Sequence, residues 1–125
     1  SYHSSSGRGV YTFCMCPGGY VVGAASCEGG VVTNGMSYHD RAGKNANSAL
    51  LTDVRPEDFQ DADKNPLAGI DFQEALERAA FEAGGGHYRA PVQRVGDFLE
   101  GRDSPAPGNG NQRDLSVLPT YAGSV

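Results

Sequence analysis

Glycine is abundant in this sequence, and large apolar side chains are scarce. Glycine occupies 18 of the 125 positions, about twice its usual share of roughly 7%. Val, Leu, Ile and Phe together supply only 23 residues, and tryptophan is absent. A folded chain of this length buries on the order of two-thirds of its surface, so this one has little material for a core of its own. The composition predicts a domain that depends on further protein for cover.

The charge balance narrows the classes of partner. Lys and Arg number 10 and Asp and Glu 15, a net charge of −5, which argues against a nucleic-acid-binding surface. No apolar run approaches the roughly 18 residues of a membrane span, and the first ten residues lack a secretory signal. Three cysteines, an odd number, are typical of reduced thiols in the cytoplasm. We therefore expect a cytoplasmic protein that binds neither nucleic acid nor membrane.

Turn signals recur about every ten residues across residues 10–40, a spacing that predicts an antiparallel β-meander. Strands are predicted at residues 10–16, 20–26, 31–33 and 49–54. The dipeptide Asn34-Gly35 is suited to a tight turn. Along the first strand, alternation places Tyr11, Phe13 and Met15 on one face and Val10, Thr12, Cys14 and Cys16 on the other. Because both faces carry apolar groups, we expect the sheet to be covered on both sides.

The main helix signal runs from Pro66 to Ala83. Asn65 is the expected N-cap, and the glycines of 84–86 end the helix. Its apolar stripe consists of Phe72, Ala75, Leu76, Ala79, Ala80 and Ala83. The expected fold class is α+β: an antiparallel β-meander and one main helix, followed by a mobile C-terminal tail over residues 101–125.

The Cys14-x-Cys16 pair is the first candidate site. Residues i and i+2 of a strand point the same way, which suits joint metal ligation or a strained disulfide. Cys27 and a histidine would complete a tetrahedral zinc site, although the spacing is not that of the usual zinc knuckle. Free cysteines on strands are often small buried apolar side chains. Three interpretations stay open: buried small residues, which are favoured, a redox pair, and a metal-binding module of Cys14, Cys16 and Cys27.

Two polar segments are candidate binding loops. Residues 41–48 carry two cations, two amides and a hydroxyl, donors that suit a carboxylate, a phosphate or a flavin-like heterocycle. Residues 87–94 gather a histidine, a tyrosine, a glutamine and two arginines. The glycine clusters match neither G-x-G-x-x-G nor G-x4-G-K-[ST] and are interpreted as turns. No motif indicates hydrolytic chemistry.

Four segments have a familiar sequence: SGRGVYTFCMCPGG at residues 6–19, VVTNGMS at 31–37, residues 41–49, and APVQRVGDF at 90–98. They resemble an interior stretch of uncharacterised bacterial FAD-dependent dehydrogenases of the FAD/NAD(P)-binding oxidoreductase family. The resemblance covers residues 6 to 99. Cys27 stands where that family has a more polar, often acidic residue, which weakens the three-cysteine metal site.

The resemblance implies a two-part flavoprotein oxidoreductase. Residues 1–100 would be an inserted substrate-side domain, and residues 101–125 a low-complexity linker and the start of the next segment. FAD would be bound by the parent protein, whose phosphate-binding motif lies outside this stretch, and the chain alone would be inactive. Its partners would be the remainder of the flavoprotein and a small-molecule substrate. From the small core, we expect the isolated chain to be marginally stable, homo-oligomeric or partly disordered after residue 100.

The resemblance also implies a cofactor side and a substrate side. Cys14 would lie in a turn near the flavin, and the implied cofactor-binding residues are Pro17, Gly18, Gly19, Asn34, Gly35 and Met36. The expected substrate-binding residues are Arg41, Asn45, Asn47, Gln93 and Arg94, because arginines suit an anionic substrate and amides suit a ring or carbonyl. No catalytic residue is assigned. The further alternative is a structural interaction domain whose apolar sheet face docks a partner.

Overall fold

The computed structural model describes residues 2–25 and 27–103. Its strands are β1 (Tyr2–His3), β2 (Gly9–Pro17), β3 (Gly19–Gly23), β4 (Thr33–Ser37) and β5 (Ala46–Thr52). A 3-10 turn at Pro56–Asp58 precedes the helices α1 (Ala68–Ala83) and α2 (Val95–Leu99). Antiparallel strands with one main helix confirm the α+β class. The tail predicted to be mobile lies, from residue 104 onward, outside the described residues.

Strand β2 pairs with β1 and β5, while β3 and β4 form a separate two-stranded sheet. A meander would have paired β2 with β3. Only Gly18 separates these two strands, and a hairpin needs a loop of at least two residues. The chain therefore leaves the first sheet at Gly18, and β5 takes the place beside β2 that the meander assigned to β3.

The predicted turn at Asn34-Gly35 is wrong, because both residues lie inside β4. The dipeptide permits a turn but does not require one. Here the missing side chain of Gly35 serves a close contact with Asn47 instead, since a Cβ at Gly35 would overlap the Asn47 amide.

A β-bulge interrupts β2 at the cysteines. Phe13 pairs with Ala49 and Cys16 pairs with Asn47, so β2 has one residue more than β5 between these pairs. Cys14 has a φ of +49°, and such a bulge breaks the alternation of side chains. Because Ala49 and Asn47 share a face, Cys16 lies on the same face as Phe13. The prediction that these two residues face opposite sides is wrong.

Helix α1 begins close to its predicted start. The side-chain oxygen of Asn65 accepts a hydrogen bond from the Leu67 N–H at 2.9 Å, and the helix follows from Ala68 to Ala83. Its C-terminal end coincides with the prediction, and Gly85 and Gly86 then adopt φ values of +80° and +74°. The glycine stop is therefore confirmed, whereas the helix begins at Ala68, two residues after the predicted Pro66, and Asn65 bonds to the turn that precedes it.

The buried face of α1 differs from the predicted stripe. Ala80 is buried, as expected, but Ala75, Ala79 and Ala83 are exposed, and Glu77 is buried instead. The Glu77 carbonyl accepts a hydrogen bond from the Val31 N–H at 3.1 Å, and Gly30 leaves room beside the Glu77 side chain. The alanine-rich side of the helix thus lies open in the described part of the chain.

Few large side chains are buried among the described residues. The buried hydrophobic residues are Val31, Ala68 and Ala80. By contrast, five large apolar side chains of the three-stranded sheet are exposed: Tyr2, Tyr11, Phe13, Met15 and Leu50. The structure therefore shows the small core that the composition predicts.

The chain divides into two compact units, one of residues 2–21 and 35–75 and one of residues 22–34 and 76–103 within the described range. The first unit contains the three-stranded sheet, and the second contains α2. In neither unit do the described residues form a helix with the length and apolarity that crossing a membrane requires.

An ion pair fixes the start of β2 within the first unit. The Arg8 guanidinium donates two hydrogen bonds to the Asp58 carboxylate, at 2.5 and 2.6 Å, and a third to the Asp53 carbonyl at 2.9 Å. The Arg55 N–H also donates to Asp58, at 2.8 Å. These donors, Arg8 foremost, lower the pKa of Asp58 from 3.8 to about 2, and the Asp58 carboxylate raises the pKa of Arg8.

This ion pair predicts a stability change in acid. A carboxyl whose pKa is lowered by folding stabilises the protein above its unfolded pKa of 3.8 and loses that effect as the pH falls through about 2. We expect Asp58→Asn to lower the thermal midpoint at neutral pH and to reduce the fall of that midpoint across this acid window. Circular dichroism melts over a pH series measure both effects. Glu57→Gln is the matched control and should retain the wild-type pH dependence; identical acid profiles for wild type and Asp58→Asn would contradict the assignment.

Candidate functional site

The Pro17–Gly19 turn packs closely against a loop of the same unit. Gly18 has a φ of +63°, and a Cβ added there would overlap the Arg41 carbonyl group. A Cβ at Gly43 would in turn overlap the Gly18 carbonyl. The turn and residues 41–43 therefore meet backbone to backbone, an approach that only glycine permits at these two positions.

The Asn47 side chain of β5 packs against β3 and β4. Its amide nitrogen donates a hydrogen bond to the Tyr20 carbonyl at 3.1 Å. A Cβ at Gly19 would overlap that nitrogen, and a Cβ at Gly35 would overlap the amide oxygen. Asn47 thus connects β5 with β3 and β4 within the first unit, and we name Asn47 together with Gly18, Gly19, Gly35 and Gly43 the glycine cluster.

Several side chains near the glycine cluster are open to solvent. Met36 is 46% exposed and Tyr38 is 69% exposed, and Arg41 is also exposed with a φ of +50°. The Tyr38 ring stands edge-on to the Tyr20 ring, with centroids 5.7 Å apart. A thioether, an aromatic ring and a guanidinium are suited to a planar or anionic ligand.

The structure distributes the predicted site residues over both units. Of the cofactor-binding residues, the first unit contains Pro17, Gly18, Gly19, Gly35 and Met36, and the second contains Asn34. Of the substrate-binding residues, the first unit contains Arg41, Asn45 and Asn47, and the second contains Gln93 and Arg94. Gln93 donates to the Arg102 carbonyl at 2.7 Å, and Arg94 is the N-cap residue of α2. Within the first unit, the structure therefore brings Gly18 close to Arg41, and Gly19 and Gly35 close to Asn47.

The glycine cluster offers no cradle for the phosphates of FAD. A phosphate-binding loop needs glycine faces and backbone N–H groups that are open to the ligand. Here the faces of Gly18, Gly19 and Gly35 are covered by the Arg41 carbonyl and the Asn47 amide. These residues do not fit the phosphate groups of the cofactor.

The three cysteines are free thiols, with Cys14 and Cys27 exposed and Cys16 half-buried. The Cys16 thiol donates a hydrogen bond to the Cys14 carbonyl at 3.2 Å. Across residues 2–25 and 27–103, no three Cys, His, Asp or Glu side chains are grouped as a metal ion requires. The described residues therefore offer no ligand set for the metal-binding interpretation. The favoured interpretation of buried small cysteines is wrong at Cys14, because that residue is exposed at the bulge.

The second unit contains an open depression of about 620 Å³ that the sequence did not indicate. Its lining consists of Gly23, Ala25, Cys27, Glu28 and Tyr88. Tyr88 and the preceding His87 have φ values of +57° and +55°, and the Tyr88 ring stands edge-on to Phe81 at 5.2 Å between centroids. Left-handed tyrosine and histidine are uncommon, so no local pattern predicts this arrangement.

The packing of Gly18 predicts a large cost for a methyl group there. Gly18→Ala adds the strain of a left-handed alanine, about 1–2 kcal/mol, to overlap with a backbone carbonyl, about 1–3 kcal/mol. Gly7 is the matched control, because its φ is +75° and the space around it is open, so Gly7→Ala should cost only about 1–2 kcal/mol. Urea unfolding of the two variants measures the difference. Equal losses would show that the contact with Arg41 is absent.

The position of Asn47 predicts a structural effect of its removal. Asn47→Ala loses the hydrogen bond to Tyr20 and should lower the free energy of unfolding by about 1 kcal/mol. Asn47→Asp should cost more, because it sets a carboxylate oxygen against the Tyr20 carbonyl. Asn34→Ala, at an exposed asparagine of β4, is the control and should be nearly neutral. If Asn47→Ala unfolds at the same urea concentration as wild type, the amide does not hold the strands.

Comparison with known proteins now adds to the geometry. Residues 1–120 match the family described as "FAD-dependent protein, C-terminal domain-like". A protein of Clostridium beijerinckii, named "Uncharacterized protein", is 55% identical over 114 residues. The match covers 91% of this chain and 20% of the relative, so the chain spans about a fifth of that protein's length. With nearly the whole chain matched, the protein belongs to the FAD-dependent protein, C-terminal domain-like family.

Proposed function

We propose that this chain is the substrate-side part of an FAD-dependent oxidoreductase and covers a flavin that the remainder of the flavoprotein holds. One observation carries the proposal: a chain from an FAD-dependent family exposes large apolar side chains on its main sheet. The dehydrogenase activity, the position as an insert over residues 1–100 and the cytoplasmic location belong to the same proposal. The family description itself refers to a C-terminal domain.

The apolar surface lies on both faces of the three-stranded sheet. Tyr11 pairs with Leu51 and Phe13 with Ala49, which puts Tyr11 and Phe13 on one face at 45% and 56% exposure. Tyr2 and Leu50 lie on the other face and are 71% and 66% exposed. Exposed apolar patches of this kind mark interaction surfaces. We name the Tyr11 and Phe13 side the sheet face.

The FAD-binding remainder is the occupant that we assign to the sheet face. Four-fifths of the Clostridium beijerinckii relative lies outside the matched stretch. In that protein, the segment similar to this chain is therefore joined to about four times its own length of further protein. The glycine cluster does not fit the phosphates of FAD, and in this proposal the further protein supplies their binding site. Docking through the sheet face would bring this chain to the flavin without a cofactor site of its own.

The flavin, when bound, supplies the electron transfer, and the protein supplies positioning and charge near the ring. In this chain, the exposed Arg41 guanidinium suits a carboxylate or phosphate of a small-molecule substrate. The Arg41 backbone packs against Gly18, and this contact fixes the position from which the side chain extends. Asn45, Gln93 and Arg94 remain the further candidates for substrate contacts.

Co-expression with the FAD-binding part of a family member tests the proposal. We expect the two chains to co-purify and the flavin spectrum to change on assembly, because the docked surface removes water from one side of the ring. Phe13→Ser removes an aromatic side chain from the sheet face and should weaken the complex by about tenfold or more. Leu67→Ser is the matched control, since Leu67 is 57% exposed but lies outside the sheet, and it should bind as wild type does.

Two outcomes would contradict the proposal. If the chains do not associate, or if Phe13→Ser and Leu67→Ser bind equally well, the sheet face is not the docking surface. If a stable complex forms while the flavin spectrum and its retention stay unchanged, the chain is an interaction domain distant from the cofactor.

A further inference from the structure

The segment from Cys14 to Cys16 places two thiols at a local backbone distortion. Both cysteines are free, and Cys14 is exposed. Cys14 has a φ of +49°, in the left-handed region that residues with a side chain seldom adopt. Strained residues of this type concentrate at functional sites, and the proposed flavin role does not use either thiol.

A regular strand would keep the two thiols apart. Each residue of a strand advances the chain by about 3.3 Å, so the Cβ atoms of residues i and i+2 are about 6.7 Å apart. A disulfide needs Cβ atoms about 3.5–4.5 Å apart. On an undistorted β2, therefore, Cys14 and Cys16 would not be able to bond, and the strained disulfide that their i, i+2 spacing suggests requires a distortion of the strand.

The bulge changes this spacing. The segment from Phe13 to Cys16 lies opposite the shorter segment from Ala49 to Asn47, so β2 fits one additional residue into the same length. The chain between the two cysteines is accordingly contracted relative to an extended strand.

The Cys16 side chain is turned back toward Cys14. Its sulfur donates a hydrogen bond to the Cys14 carbonyl oxygen at 3.2 Å. The sulfur therefore lies beside the backbone of the residue that carries the second thiol.

We propose that Cys14 and Cys16 form a reversible dithiol–disulfide site that reacts with low-molecular-weight disulfides of the glutathione class. The exposed Cys14 thiolate attacks one sulfur of the disulfide RSSR and releases RS⁻, which leaves a mixed disulfide on Cys14. The Cys16 thiolate then attacks the Cys14 sulfur, releases the second RS⁻ and closes the intramolecular disulfide. RSSR gains two electrons, the protein thiols lose two, and the two thiol protons end on two molecules of RSH.

The Cys14–Cys16 disulfide should be easily reduced. A disulfide at an exposed position and closed over one residue belongs to the strained, labile class that thiols reduce readily. Cys27 offers an internal comparison, since it is an exposed free thiol outside the bulge. It should react with oxidised glutathione but keep the glutathione, because the described residues of the second unit contain no other cysteine.

Thiol mapping of the full chain tests the proposal without flavin, so its outcome is separate from that of the proposed function. The reduced protein is treated with oxidised glutathione, the remaining thiols are alkylated, and the peptides are identified by mass spectrometry. We expect wild type to yield a Cys14–Cys16 disulfide and glutathione on Cys27, and excess reduced glutathione to restore all three thiols. Cys16→Ser keeps the hydrogen-bond donor but removes the second sulfur, so glutathione should persist on Cys14 at about tenfold the wild-type level or more.

The control is a variant that retains both Cys14 and Cys16. Cys27→Ser should form the Cys14–Cys16 disulfide as wild type does. The proposal is overturned if wild type retains glutathione on Cys14 and Cys16 separately, if either cysteine bonds to Cys27 instead, or if Cys14 retains no more glutathione in Cys16→Ser than in wild type.

Discussion

The Asn47 amide is the contact on which the arrangement of the first unit depends. It occupies the space that side chains at Gly19 and Gly35 would fill, and it bonds to the Tyr20 carbonyl. Large apolar side chains are too few to fix the strands by packing, so polar and backbone contacts hold the strands instead. The same shortage explains the Gly18 contact with Arg41, where two backbone segments meet without side chains between them. High glycine content is thus a requirement of this packing and is not confined to turns.

Local patterns predicted the elements of this fold better than their pairing. The strand at residues 10–16 and the end of α1 were predictable, because each depends on neighbours in sequence. The bulge at Cys14 was not, since it depends on the register with β5, which no local pattern encodes. Glu77 was missed for a similar reason: its burial follows from the long-range contact with Gly30 and Val31.

In the candidate site, too, the sequence indicated which residues take part but not how they pack. The resemblance assigned Gly18, Gly19 and Gly35 to the cofactor side and Arg41 and Asn47 to the substrate side. The structure packs Gly18 against Arg41, and Gly19 and Gly35 against Asn47. What the sequence did not indicate is that these contacts close the glycine faces. Gly43 was the available signal, because a glycine two residues after Arg41 permits the close approach that the turn makes. Tyr38 and Tyr88 had no such signal, since their exposure and backbone geometry arise from the fold.

Two departures from extended backbone follow one another within five residues. Cys14 at +49° and Gly18 at +63° enclose the last three residues of β2, after which the chain passes to β3. The glycine adopts its angle without cost, whereas the cysteine does not, so the surrounding pairing with β5 must maintain the strain at Cys14. A strand that only needed to end at Pro17 would gain stability from glycine or asparagine at the bulge. The requirements of folding do not explain a cysteine there, whereas the proposed dithiol–disulfide site, with the Cys16 thiol bonded to the Cys14 carbonyl, does.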